Sequence, residues 1–186
     1  MGEYYEMTIA GCKRQLPLCK ISDTLGIAGF VIFGDVELTC ACAAELLKKA
    51  PEYDYMIAPE AKAIPLIHEM ARQSGQNDYF LVRKQPKLYM EGVFSHQVKS
   101  ITTEEVQEMY MDGKDAKKMA GKRILLLDDV ISTGESMTAL EELVLKAGGI
   151  VAGRMAILAE GEAADRDDII FLEKLPLFDG DLKPID

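Results

Sequence analysis

Where the chain runs RILLLDDVISTGES, Arg123 to Ser136, two carboxylates stand side by side at the end of an apolar run, and small hydroxylated residues and a glycine follow. The second half of this string has the chemistry of an anion site. In Ser132, Thr133, Gly134, Glu135 and Ser136 the small residues let backbone N–H groups converge at the start of a helix. The helix N-terminus adds partial positive charge, and the hydroxyls add donors. No Lys follows the glycine, as the GxxxxGK[ST] loop for nucleoside triphosphates requires, so a single phosphate suits the loop better. Asp128 and Asp129 can accept hydrogen bonds from adjacent sugar hydroxyls, directly or through a bound Mg²⁺. A phosphate site one sugar-length from a diol site describes a ribose 5-phosphate.

A second cluster points the same way. Arg83, Lys84 and Lys87, in LVRKQPKL (81–88), form the densest positive group in a chain that carries 21 Lys and Arg against 31 Asp and Glu, a net −10. Such a cluster in an acidic protein suits a polyanionic small molecule. The overall charge speaks against a general nucleic-acid binder, which needs a positive field to match phosphates. The 186 residues, 48% of them apolar, can bury one core as a single domain without disulfides. No secretory signal and no apolar run near the ~20 residues that span a bilayer is found, so a reduced, cytoplasmic protein with no membrane partner is expected. Cys40 and Cys42 lie ~200° apart on a predicted helix and cannot share a metal, and the chain has 2 His, so no zinc site is expected. The methionines read as core and loop composition, and EEVQEM (104–109) and DRDD (165–168) as solvated runs.

The elements that must position these residues follow from periodicity and punctuation. Up to about Ala28 the pattern is irregular, broken by Pro17 and Gly26, as in an arm or small cap. Asp35 is placed to N-cap a helix through about Lys49, with Leu38, Cys42, Leu46 and Leu47 facing inward. YMIA (55–58) reads as a short buried strand, Ala63–Gln73 as a helix and YFLV (79–82) as a strand. A long polar stretch, roughly Arg83–Val98, has no clear period; VKSIT and VQEMYM then suggest a hairpin turning at Thr103–Glu105. RILLL (123–127) is the most strand-like run, leading into a helix over Glu135–Ala147 that Gly148-Gly149 stops. IVAGRMAIL (150–158) and DIIFL (168–172) follow as strands, and LPLFDGDLKPID (175–186) reads as a loosely held tail. Strands alternating with helices predict an α/β domain with a mostly parallel sheet, whose site lies at the carboxyl ends of the strands.

The string ILLLDDVISTGES resembles the 5-phosphoribosyl-1-pyrophosphate (PRPP) motif of type I phosphoribosyltransferases, and the resemblance runs from about Phe30 to Glu160. It implies a mostly parallel, twisted sheet flanked by helices, with a small N-terminal hood over about residues 1–34, a core over 35–160, a C-terminal strand and tail over 161–186, and a flexible loop. By the same resemblance Asp128 and Asp129 hold the ribose 2′- and 3′-hydroxyls, and Mg²⁺ largely through substrate or water, while Ser132, Thr133, Gly134, Glu135 and Ser136 wrap the 5-phosphate. APEAKAIP (58–65) is similar to the family's pyrophosphate loop, which implies that role for Ala61 and Lys62. Purine-salvage members show E-x-R-G where this chain has Glu60-Ala61-Lys62-Ala63. Lys keeps the charge and loses the bidentate fork of Arg, and the missing glycine bears on any strained peptide there. LVRKQPKL resembles the R-K-x-x-K-L segment that meets pyrophosphate, which implies Arg83, Lys84 and Lys87. Lys87 to about Val98 would be the flexible loop.

For the base, the resemblance is mixed. FVIFGDVEL (30–38) is similar to the V-F-R-D segment of adenine members, with Gly34 in the Arg place, and so implies Ile32 and Phe33 against the base. The Glu-Tyr pair of those members is not found, and HQVKSITT (96–103) instead resembles the S-V-x-S-F-T stretch of xanthine members. Ser132 stands where hypoxanthine–guanine members carry an acid/base Asp. The family implies a purine phosphoribosyltransferase using PRPP and Mg²⁺, with adenine preferred to xanthine, AMP and pyrophosphate as products, Asp128, Asp129, Lys62 and Arg83 as the catalytic set, and a homodimer. Glu60, Glu91 and Glu104 are available as acid–base groups, none well placed. The alternative is a non-catalytic PRPP- or nucleotide-binding regulator on the same fold; the N-terminal arm is short for a DNA-binding appendage, and the pyrophosphate-side bases favour an enzyme.

Overall fold

The computed structural model describes residues 3–99 and 106–185. The N-terminal segment is not an irregular arm. It forms three antiparallel strands, β1 (Tyr4–Ile9), β2 (Cys12–Lys20) and β3 (Leu25–Ala28). Exposed and half-buried positions alternate along β1 and most of β2, the period-two signature of strands with one covered face. Helix α1 (Val36–Lys49) then starts where predicted. Asp35 Oδ1 accepts the Leu38 N–H at 3.0 Å, and Arg14 Nε reaches from β2 to Asp35 Oδ2 at 2.6 Å, which ties the helix start to the antiparallel sheet. Leu38, Cys42 and Leu46 are buried as expected, with Leu47 partly so.

The chain continues through β4 (Tyr55–Pro59), α2 (Ile64–Ser74), β5 (Phe80–Val82), β6 (Phe94–Lys99), β7 (Val106–Met111), α3 (Gly113–Met119), β8 (Arg123–Ile131), α4 (Glu135–Lys146) and β9 (Ile150–Glu160). A 3₁₀ turn (Gly161–Asp165) leads into β10 (Ile170–Leu175), β11 (Leu177–Asp179) and β12 (Pro184–Ile185). The central sheet has the order β10-β9-β8-β4-β5 with parallel pairing throughout. From β4 the chain runs outward to β5 on one side; from β8 it runs outward through β9 and β10 on the other. The topological switch point therefore lies between β4 and β8, and a crevice opens at their carboxyl ends.

Ile124 to Leu127 on β8 are fully buried because both faces of the sheet are covered. Leu125 and Leu127 pack with α1, α2 and the antiparallel sheet; Ile124 and Leu126 pack with α4 and with Met109 and Met119. Burial of Met109 means that EEVQEM is not uniformly solvated. Strand β6 starts at Phe94, earlier than the predicted VKSIT strand, so the polar stretch to Val98 is in part a hairpin strand paired with β7. The expected turn at Thr103–Glu105, with Glu104, lies outside the described residues. Helix α3, which periodicity did not suggest, is capped by Asp112, whose side chain accepts the Lys114 N–H at 2.9 Å.

The expected loose tail is a structural element. Strand β11 pairs antiparallel with β3, Phe178 opposite Gly26, so both ends of the described chain build one antiparallel sheet. Phe178 is 1% exposed and meets Tyr5 edge-to-face at 5.2 Å between ring centroids. A Cβ on Gly26 would come within 2.6 Å of Leu182 Cδ2, so that side chain would have to shift. Phe178→Ala should therefore cost about 3–5 kcal/mol of stability, read as a lowered urea midpoint. A change below ~1 kcal/mol would mean the segment is held loosely after all.

Candidate active site

Strand β8 delivers its two acids to the crevice beside the switch point. Asp128 is 9% exposed and Asp129 4%. The Asp129 N–H donates to Asp128 Oδ1 at 2.8 Å. Burial, and then the neighbouring Asp129, push the Asp128 carboxyl up to about 8. Across the crevice, the loop after β4 carries Lys62, whose Nζ stands 2.8 Å from Asp129 Oδ2. That loop holds Ala61 at φ 136°, a backbone region that residues with a side chain rarely occupy. Ala63, in the place of the family's glycine, has φ −75° and needs no such freedom. The strained residue is Ala61.

The segment after the acids forms the expected cradle. Asp128 and the run from Val130 to Met137 line a small hollow of about 40 Å³ at the N-terminus of α4. Gly134 takes φ 80°, and a Cβ there would lie 2.8 Å from Arg166 Nη1. Arg166 is held by Asp168 through contacts of 2.9 and 2.7 Å. Asp168 also lies 3.7 Å from Arg154, which donates to Glu141 of α4 at 3.0 Å. DRDD is a solvated run, as expected, whose Arg166 and Asp168 also brace the start and body of α4. A larger cleft of about 450 Å³ opens between the antiparallel sheet and the acids, bordered by Ile27 to Val31, Lys62, Val130, Ser132, Glu160 and Leu175.

These positions match a known family. The profile of the phosphoribosyl transferase domain covers residues 40–176. The chain belongs to that family. It is 34% identical over 109 residues to an adenine phosphoribosyltransferase of Thermotoga maritima, 59% of this chain and 59% of that protein, so the match spans less than two thirds of that relative. Identity to an adenine phosphoribosyltransferase of a Thermoanaerobacter species is 31% over 139 residues, 73% of this chain and 68% of that one. The solved adenine phosphoribosyltransferase of Thermoanaerobacter pseudethanolicus shares the fold at 23% identity with a TM-score of 0.63, covering 92% of this chain and 95% of that one.

In this phosphoribosyl transferase domain the basic segment lies at the end of β5. Arg83 pairs with Glu60 of the Lys62 loop and lies 5.7 Å from the centroid of the Tyr89 ring. Lys84 is exposed and Lys87 half-buried; among the described residues neither makes an ion pair. Glu91 pairs with Lys114, away from the acids. The two residues expected against the base have contrasting environments. Ile32 is fully buried in the core and Phe33 is 53% exposed, and neither borders the cleft beside the acids. The residues just before them, Ile27 to Val31, do. Sequence reasoning also missed Glu160, although one signal was present: an acid closing the apolar run of β9 at the same sheet edge as Asp128 and Asp129.

The acid pair fits Mg²⁺ only in a particular way. Asp129 Oδ2 is shut off from solvent, and its contact with Lys62 lacks hydrogen-bond geometry, so this oxygen is an unsatisfied acceptor. Among the described residues no group of three or more His, Cys, Asp or Glu could enclose an ion. The residues fit a Mg²⁺ that keeps water and substrate oxygens rather than a protein-built cage.

Asp128 also carries a pH signature. Because its folded pKa is raised from 3.8 to about 8, between those values the folded chain holds a proton that the unfolded chain releases, and stability falls as pH rises across that window. Asp128→Asn should melt above the wild type at pH 8 without Mg²⁺ or nucleotide, with the gap closing toward pH 4. A gap independent of pH in thermal melts would show that Asp128 is not held protonated.

Proposed function

We propose that the chain transfers ribose 5-phosphate from PRPP to a purine base, adenine foremost, giving AMP and pyrophosphate. The observation that supports this most is the adjacency of three features: a single-phosphate hollow at a helix N-terminus, a buried acid pair, and a cleft walled mostly by apolar residues. Their order is that of a phosphate, a ribose and a base. The names of the curated relatives favour adenine over xanthine and over a non-catalytic regulator.

In this proposal the bond from C1′ to the pyrophosphate oxygen breaks, positive charge builds on the ribose ring, and a base nitrogen bonds to C1′. Asp128 and Asp129 fix the ribose hydroxyls, and backbone N–H groups and hydroxyls of Ser132–Ser136 anchor the 5-phosphate. Lys62, Arg83, Lys84 and Lys87 neutralise the leaving group, with Ala61 shaping the loop that presents Lys62. For Arg83 this requires release from Glu60 or sharing with it. Asp128 and Asp129 would hold Mg²⁺ through water and substrate, and the ion would supply charge neutralisation at the pyrophosphate. We take the working form as a cytoplasmic homodimer on the strength of the family resemblance; among the described residues no helix is long and apolar enough to cross a membrane.

A panel of adenine, hypoxanthine, guanine and xanthine with PRPP and Mg²⁺, following pyrophosphate release, tests the reaction. Adenine should be fastest, and Asp129→Asn should lower kcat/KM about ten- to hundredfold, the loss of one charge-assisted hydrogen bond. Silence with every purine from folded protein that still binds PRPP would favour the regulator. For the basic segment, replacing Arg83 and Lys84 by Ala should weaken PRPP and pyrophosphate far more than AMP in calorimetry. Equal losses would remove these residues from the pyrophosphate site.

A further inference from the structure

Glu160 is the last residue of β9, and the register that pairs Ile131 with Ala159 brings it alongside Ser132. It is the sole acidic side chain among the described residues bordering the cleft of Ile27 to Val31. It also borders the adjoining hollow of about 370 Å³ that contains Ile21, Leu25 and Leu177. Among the described residues its side chain has no hydrogen bond and no ion pair. Burial raises its proton affinity, and Lys62 opposes that shift without pairing with it, since the Lys62 ammonium stands against Asp129. Its carboxyl is half-buried and keeps contact with solvent in the open cleft, so a ligand that fills the cleft displaces that water and must supply a donor in its place.

Three classes of ligand atom could meet it, and the surroundings choose among them. A phosphate or pyrophosphate oxygen would face like charge. The ribose hydroxyls have their own pair of acids at the end of β8. What remains is an N–H of a flat heteroaromatic ring, which suits the apolar wall of Ile27, Phe30, Val31, Val130 and Leu175.

We propose that Glu160 is the base-reading residue: its carboxylate accepts a hydrogen bond from the 6-amino group of the purine and thereby selects 6-aminopurine over 6-oxopurine. A C6 carbonyl in the same place sets lone pairs against lone pairs. A polar group left unpaired in this way can discriminate far more strongly than a change in shape. This assignment rests on the ribosyl-transfer function proposed above.

The test compares kcat/KM for adenine, hypoxanthine and guanine, with PRPP and Mg²⁺, in the wild type, Glu160→Leu and Glu160→Gln. Leu has similar bulk and no acceptor, so adenine should fall about ten- to hundredfold while hypoxanthine changes less than about threefold, and KM for PRPP should hold. Gln keeps an acceptor and adds a donor able to meet a C6 carbonyl, so adenine should survive to within about tenfold while its advantage over hypoxanthine shrinks at least about fivefold. Glu160→Gln alone decides the matter if the Leu variant does not fold. An unchanged adenine-to-hypoxanthine ratio in a folded, active variant overturns the assignment and leaves the transfer reaction standing, as does guanine outpacing adenine in the wild type. Transfer to no purine by the wild type overturns the reaction, and this assignment with it.

Discussion

Two carboxylates side by side at the end of a buried strand are an electrostatic load that the rest of this fold is arranged around. Asp128 meets part of it by holding its proton and by accepting the Asp129 N–H. Asp129 meets the rest through Lys62, which comes from the other side of the switch point. The ion pair thus joins the carboxyl ends of β4 and β8, the two strands from which the chain departs in opposite directions. Parallel strands need their neighbours on both faces, and the full burial of Ile124 to Leu127 keeps the strand end that presents the acids fixed. The acids stand on a strand, whereas Lys62 and the basic residues Lys84 and Lys87 stand on loops.

The antiparallel sheet is the second constraint. It forms one wall of the cleft through Ile27 to Val31, and its strands come from residues more than 150 positions apart in the chain. Arg14 anchors it to the start of α1 through Asp35, and Phe178 anchors it from the carboxyl-terminal side. Wall and acids are therefore coupled through packing: loosening β11 would shift the cleft although no residue of β11 touches the acids' own hydrogen bonds.

The core sheet was legible because its strands are uniform apolar runs and its helices carry clear starts, as at Asp35, or stops, as at Gly148-Gly149. The acid pair and the loop after it stood out because Asp128 to Ser136 form a contiguous string, although Lys62 and Arg166 reach them from distant parts of the chain. The antiparallel sheet was not. Its short strands, such as β11 at Leu177–Asp179, acquire meaning only through partners at the far end of the chain. The base side was less legible for the same reason. Ile32 and Phe33 were chosen by likeness to a segment, but which side chain faces a cleft depends on the turn between β3 and α1. Arg166 is exposed as expected, and its bracing role was not legible because it depends on Gly134 and Asp168 meeting it in three dimensions.

Four local costs gather at one place, beside others elsewhere: Ala10 and Leu182 also hold positive φ, and Gln76 Oε1 is buried without a partner. Ala61 sits in a backbone region unfavourable to a side chain, Asp128 keeps a proton against its intrinsic chemistry, Asp129 Oδ2 lacks a donor, and Glu160 lacks a partner. All four lie at the carboxyl ends of β4, β8 and β9, around one crevice. Caps such as Asp35 and Asp112 and braces such as Glu141 with Arg154 serve other parts of the fold. A fold selected for stability alone would relieve each of these costs by a single substitution: glycine for Ala61, an amide for Asp128, an apolar residue for Glu160. Their concentration at one place argues that a ligand completes the site.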